Sequence, residues 1–148
     1  MSPSVKIVFE LKPDEDGFPP VGSESINGSP ERDGSFILDN TPFFVTDVAL
    51  GDRVAAHEIA GTEGQFAFSH VIEPSQVKSI SIIFLVDELK EQIFQYLRGQ
   101  GCYCEYGDFG ALEMLAVSIP DTCDYGPLRS YLMDHEQNNI LSFAELAV

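Results

Sequence analysis

Positive charge is scarce in this chain: 8 Lys and Arg stand against 24 Asp and Glu over 148 residues, a formal net charge of −16. Such a molecule repels phosphate backbones and anionic headgroups, which excludes nucleic acid and a membrane surface as expected partners. The deficit is spread through the body, with 11 of the acids and 4 of the basic residues in the first 60 positions. Long apolar runs are missing too. The longest, Ile80 to Val86 interrupted by Ser81, falls far short of the roughly 20 residues that cross a bilayer. Met1 to Lys12 has neither the basic start nor the apolar stretch of a secretory signal, so none is expected. The 3 cysteines, Cys102, Cys104 and Cys123, are an odd number without an exported context, which predicts free thiols in a reducing cytoplasm. What remains is ample for folding: 44% of residues are hydrophobic and the mean hydropathy is zero, enough for one core or a core with a small satellite lobe.

The first half reads as short strands. Val5 to Leu11 alternates Val5, Ile7, Phe9 and Leu11 against Lys6, Val8 and Glu10, the period-2 pattern of a strand with one better buried face. Asp14 to Gly34 is rich in Gly, Pro, Ser and acid and predicts a loop or loosely paired hairpin. Ser35 to Leu38, Phe43 to Val48, Arg53 to Ile59 and Gln65 to Ile72 are further strand candidates separated by Gly and Asp turns. Their spacing predicts a small curled antiparallel sheet or partial barrel over residues 1–76.

After Pro74 the pattern changes. Ser79 to Val86 is a strand; Asp87 is placed to cap a helix through Arg98, whose stripe is Leu89, Ile93, Tyr96 and Leu97. Cys102 to Tyr106 and Leu112 to Ile119 read as strands, and Pro127 sits in the first turn of a second helix with Leu128, Tyr131 and Leu132 inward. Ile140 to Phe143 is a last strand in competition with a helix, because Ser142 to Glu145 has capping-box spacing. The fold class expected is therefore α+β, a small antiparallel β lobe followed at residues 77–148 by a ferredoxin-like βαββαβ sandwich, the two halves forming one compact unit. Ile80, Ile82 and Phe84 point to one side of their strand and Ile83 and Leu85 to the other, so both faces need cover. One takes the helices; the N-terminal lobe is expected over the other.

Lys6 to Glu10, Phe18 to Val21, Leu38 to Phe44, Leu50 to Val54 and Gly101-Cys102 together resemble a bacterial family of small proteins known only as a domain of unknown function, DUF 4265. The resemblance spans most of the chain and implies no activity, cofactor or catalytic residue. After Val21 the family favours Glu and aromatic residues; here Ser23-Glu24-Ser25-Ile26 keeps the acid and lacks the aromatic.

The motifs that could carry chemistry fall short of it. Asp14, Asp16 and Gly17 resemble the middle of an EF-hand loop, but Lys12 and Ser23 occupy its first and last ligand positions. His57-Glu58 opens a zinc-protease motif whose second His would be at Gly61. Gly61 to Gly64 lacks the Lys of a phosphate loop. Cys102 and Cys104 lie on one side of a strand, about 7 Å apart. They could join Cys123 and either His135 or His70 in a zinc site, but buried thiols beneath a helix are the simpler reading. No nucleophile and base stand at a spacing that supports catalysis, and neither an enzyme nor a cofactor is expected.

Aromatic residues interleaved with acid point instead to a protein partner. Tyr103, Tyr106, Phe109 and Tyr125 lie close in sequence to Glu105, Asp108, Asp121 and Asp124; rings of this kind anchor in pockets while carboxylates steer a cationic surface into place. The acids of Asp14 to Asp16 and Glu31 to Asp33 form a weaker second patch. The expected function is that of a non-enzymatic immunity or antitoxin-type inhibitor covering a basic bacterial toxin such as a nuclease. The alternative is a small-molecule sensing or regulatory module of ferredoxin-like type, which requires a deep apolar pocket between the lobes.

Overall fold

The computed structural model describes residues 4–110 and 112–148. Its first five strands are β1 (Val5–Glu10), β2 (Ser23–Pro30), β3 (Phe36–Leu38), β4 (Arg53–Glu58) and β5 (Gln65–Glu73). They close into a barrel in chain order, so the partial barrel of the sequence reading is corrected to a closed one. The closing ladder, Lys6 to Val8 against Gln65 to Ala67, is parallel, where an all-antiparallel sheet was expected. Topology forces this: in an up-and-down run of five strands the first and last point the same way, and closure can only pair them in parallel. Strand β2 emerges from the stretch read as a loop or loosely paired hairpin, and pairs with β1 over Val5↔Gly28 to Glu10↔Ser23. Phe43 to Val48, read as a strand, is irregular chain.

The barrel is filled by Ile7, Phe9, Ile26, Phe36, Leu38, Val48 and Val54. Phe9 stacks on Phe68 at 4.6 Å and Phe36 leans on Phe66 at 4.8 Å. A small barrel needs small residues where strands crowd: a Cβ on Gly28 would come within 2.8 Å of Ile7 Cγ1.

The second half contains β6 (Lys78–Phe84), α1 (Lys90–Gly99), β7 (Tyr103–Asp108), β8 (Glu113–Ile119), α2 (Tyr125–Gln137) and β9 (Leu141–Ala147). The four strands form one antiparallel sheet in the order β7-β8-β6-β9. Ile80, Ile82, Leu115, Val117, Ile119 and Leu141 face Ile93 and Leu97 of α1 and Leu128 and Leu132 of α2, each of them fully buried. Helix α2 begins as read, Asp124 accepting from the Gly126 N–H. Helix α1 begins later than read: its cap position is Leu89, without a side-chain cap, and the Asp87 carbonyl accepts the Lys90 N–H in a preceding turn. The capping-box spacing at Ser142 loses to strand pairing, because seven residues of β9 gain a ladder against β6.

The opposite face of the sheet carries the small residues Ser79, Ser81, Ala116 and Ser118 together with Met114, all buried. Cover comes from the connection between β3 and β4. The Thr41 hydroxyl bonds to that of Ser118 at 2.9 Å, the Asp47 N–H donates to the Leu146 carbonyl, and the Phe43 ring lies over Gly107, where a Cβ would come within 2.7 Å of it. Leu85, expected under this cover, lies beyond the end of β6 and is 55% exposed.

Candidate protein-binding site

Four of the eight residues singled out from sequence, Tyr103, Glu105, Tyr106 and Asp108, belong to β7, the outer strand of the sheet. Alternation divides them. Tyr103 and Glu105 lie opposite Ser118 and Ala116, on the face that the barrel side covers, and the Tyr103 hydroxyl donates to Glu105 at 2.9 Å. That bond, with the negative charge behind it, holds the Tyr103 phenol in its neutral form to higher pH than usual. Tyr106 and Asp108 lie on the helix face. The Tyr106 ring stacks on Phe94 at 5.5 Å, and its phenol is pushed up by burial and then by Glu91. Tyr103 and Tyr106 are nevertheless 52% and 51% exposed, so the strand presents an aromatic ring on either side of its free edge.

The other four are elsewhere or engaged. Phe109 continues the strand but turns inward, edge-on to Phe43 at 5.3 Å and to Phe44 at 4.8 Å. Asp121 is exposed in the turn before α2, and Asp124 is the cap of that helix. Tyr125 lies toward the opposite edge of the sheet, donating to Glu145 of β9 at 2.6 Å; Arg129 reaches the same carboxylate at 3.1 Å. The Tyr125 phenol is raised, by burial first and then by this bond. Two acids of the weaker patch are engaged locally: Asp14 accepts from the Asp16 and Phe18 N–H groups, and Asp33 accepts from Ser35 and faces Arg53 at 3.6 Å.

Two groups that matter here were not singled out from the sequence. Lys90 of α1 pairs with Glu113 at 3.1 Å and lies 5.9 Å from the Tyr106 ring centre, so it sits beside the acidic strand. Glu24 of β2 aims its carboxylate at three successive backbone donors, Phe43 at 2.6 Å, Phe44 at 3.0 Å and Val45 at 2.9 Å. It thereby fixes the segment whose rings rest on Gly107 and Phe109. The only trace in the sequence was an acid kept within a stretch whose aromatic had gone.

The three thiols share the helix side of the sheet, Cys102 buried and Cys104 and Cys123 packed against the same core. Burial raises Cys102 to about 12 and Cys104 to about 11. Thiols so protonated are poor nucleophiles at neutral pH. No helix among the described residues is long and apolar enough to cross a membrane.

A closed five-stranded barrel joined to a four-stranded sheet with two helices defines a mixed α+β protein with an acidic, partly aromatic outer strand. The chain belongs to the DUF4265 family, a domain of unknown function, whose model matches residues 24–143. The fold is shared with a hypothetical protein from Neisseria gonorrhoeae of known crystal structure, at a TM-score of 0.78 and 22% identity, over 99% of this chain and 96% of that one. No curated protein matches.

Proposed function

We propose that the protein is a non-enzymatic, cytoplasmic binding protein, an immunity or antitoxin-type inhibitor that occludes a basic, nuclease-like bacterial toxin. The observation that carries this reading is β7, where Tyr103 and Tyr106 stand half exposed beside Glu105 and Asp108 on a body of charge −16. Desolvated aromatic anchors supply affinity, while the surrounding carboxylates speed encounter with a cationic surface and make it salt-sensitive. The element order of residues 77–148 and the strand order β7-β8-β6-β9 support a ferredoxin-like unit in this half. The bonds from Thr41 and Asp47 across the junction support the two halves acting as one body.

The small-molecule alternative has less behind it. Two cavities lie where the halves meet: one lined by Asp47, Asp52, Lys78 and Ala147 among others has a volume of 310 Å³, at the low end of the roughly 300–1,000 Å³ of small-molecule sites, and one lined by Glu24, Phe43, Phe44 and Phe109 among others has 240 Å³, below it. The Glu24 carboxylate is occupied by the backbone of Phe43 to Val45.

The test is binding to the product of the adjacent gene. A basic toxin that is bound and silenced, with Glu105→Lys plus Asp108→Lys weakening the complex by about tenfold more than Glu15→Lys plus Asp16→Lys, supports the proposal. A partner that is neither basic nor toxic overturns it, and equal losses from the two pairs leave no localised site.

A further inference from the structure

We infer that β7 receives an extended basic segment of the partner as a fifth strand of the sheet. This rests on the protein-binding reading and specifies its mode. The argument starts from the hairpin between β7 and β8, where the Phe109 N–H donates to the Leu112 carbonyl at 2.8 Å. In an antiparallel ladder, residues that exchange bonds alternate with residues that do not. Counting back from Phe109 in the register Tyr103↔Ser118 to Asp108↔Glu113, Tyr103, Glu105 and Gly107 bond to β8. The N–H and C=O groups of Cys104, Tyr106 and Asp108 therefore face outward. Among the described residues, none of these six groups has a hydrogen-bond partner.

An open edge of this kind is a template for another strand, and proteins commonly blunt it with Lys, Pro, a bulge or a cover. Strand β9, at the other side of the sheet, is blunted. Its pairing with β6 is bulged, the Phe143 N–H is taken by Glu136, and the Leu146 carbonyl is taken by Asp47. Strand β7 lacks the bulge, the Lys and the Pro: its register is regular, and its sequence, Tyr-Cys-Glu-Tyr-Gly-Asp, guards the edge only with the charges of Glu105 and Asp108, which repel an acidic strand and admit a basic one. Charge then selects the occupant. A second copy pairing β7 to β7 about Tyr106 would set Glu105 diagonally across from its own equivalent, offer no cation to either Glu105 or Asp108 and join two bodies of −16, whereas like charges close across a ladder are destabilising. A strand carrying Lys or Arg at alternate positions lays them all along one face, where they meet Glu105 or, with the strand turned over, Asp108, and its backbone satisfies the outward groups.

The probe is a capped peptide of alternating Lys and Val at low salt, compared with the same peptide N-methylated at alternate amides, which keeps the charge and removes the donors. Binding of the first about tenfold or more tighter than the second, with slowed amide exchange at Cys104, Tyr106 and Asp108, is the expected result. Tyr106→Pro removes one outward N–H at a position where an edge strand accepts proline; it should abolish that preference while Tyr106→Ala retains it. Equal binding of the two peptides, or protection on β5 or β9 instead, overturns strand addition and leaves acidic docking standing. Binding of neither peptide removes both. A dimer of the protein broken by Tyr106→Pro assigns the edge to a second copy and also overturns the proposal.

Discussion

Removing the Glu24 carboxylate tests whether one side chain anchors the barrel to the sheet. Its Oε1 accepts from the Phe44 and Val45 N–H groups and its Oε2 from that of Phe43. Hydrogen bonds to a charged acceptor contribute about 1.5–3 kcal/mol each when buried. Glu24 is only partly buried, and water can replace part of what is lost, so Glu24→Ala should cost about 3 kcal/mol in all. For a domain of this size that is a fall in Tm of about 10 °C. Glu24→Gln keeps one acceptor oxygen and turns an amide donor toward a donor, so its cost should be smaller, about 1–2 kcal/mol. Urea unfolding of the three proteins measures the differences, and amide exchange at Phe43 to Val45 locates them. A cost below about 1 kcal/mol for Glu24→Ala, or unchanged exchange at those amides, would refute the role.

Further outcomes follow from contacts nearby. Gly107→Ala puts a Cβ within 2.7 Å of the Phe43 ring and 2.9 Å of Phe109 and should destabilise by about 1–3 kcal/mol; if the ring contact is the cause, Phe43→Leu should recover part of the loss in a double-mutant urea series. The Tyr125 hydroxyl, followed by Arg129, holds Glu145 below the usual carboxylate range. The folded value is thus below the unfolded one of about 4.3, and this stabilisation is present above that pH and fades as pH falls through the folded value. In Tyr125→Phe the Glu145 carboxyl should titrate at higher pH by carbon NMR; an unmoved titration would show that the hydroxyl contributes nothing. With Cys102 raised to about 12 and Cys104 to about 11, alkylation of the native protein at mildly alkaline pH, mapped by mass spectrometry, should be at least about a hundredfold slower at both than after unfolding. Rapid native labelling of Cys102 would contradict its burial.

The second half was the more legible because its elements are long enough to show a period. Alternation in Ile80 to Ile83 and the stripe of Ile93 and Leu97 both announce which side is inward, and the structure buries Ile80, Ile82, Ile93 and Leu97 completely. The barrel was less so. Strand β2 contains Ser, Asn, Gly and Pro, poor strand formers that hold extended shape because β1 and β3 flank them, a tertiary effect that local pattern does not carry. Phe43 to Val48 shows the converse. Its apolar residues are those of a strand, yet Glu24 takes the Phe43, Phe44 and Val45 donors, and the rings are spent against Phe109. The site followed the same rule: spacing along β7 was visible, but the division of its residues between two faces and the loss of Phe109, Asp124 and Tyr125 to internal contacts depend on partners far away in sequence.

These contacts also bear on why β7 can remain unpaired. A free edge needs its shape held from within, since no neighbour holds it from outside. Here α1 packs behind it through Phe94 and Tyr106, Lys90 links the helix to Glu113 of the adjoining strand, and Phe43 presses on Gly107 from the other face. The brace at Glu24 fixes the segment that carries Phe43. Strand β7 is therefore supported on both faces while its outward N–H and C=O groups stay free, so the strand is already in the shape a partner would pair with. Ordering cost falls on the incoming segment alone, which favours a partner whose basic segment is already extended. If that is right, Glu24→Ala should loosen β7 and weaken binding of the Lys-Val peptide although Glu24 touches none of it. Unchanged peptide affinity in a folded Glu24→Ala protein would separate the brace from the edge.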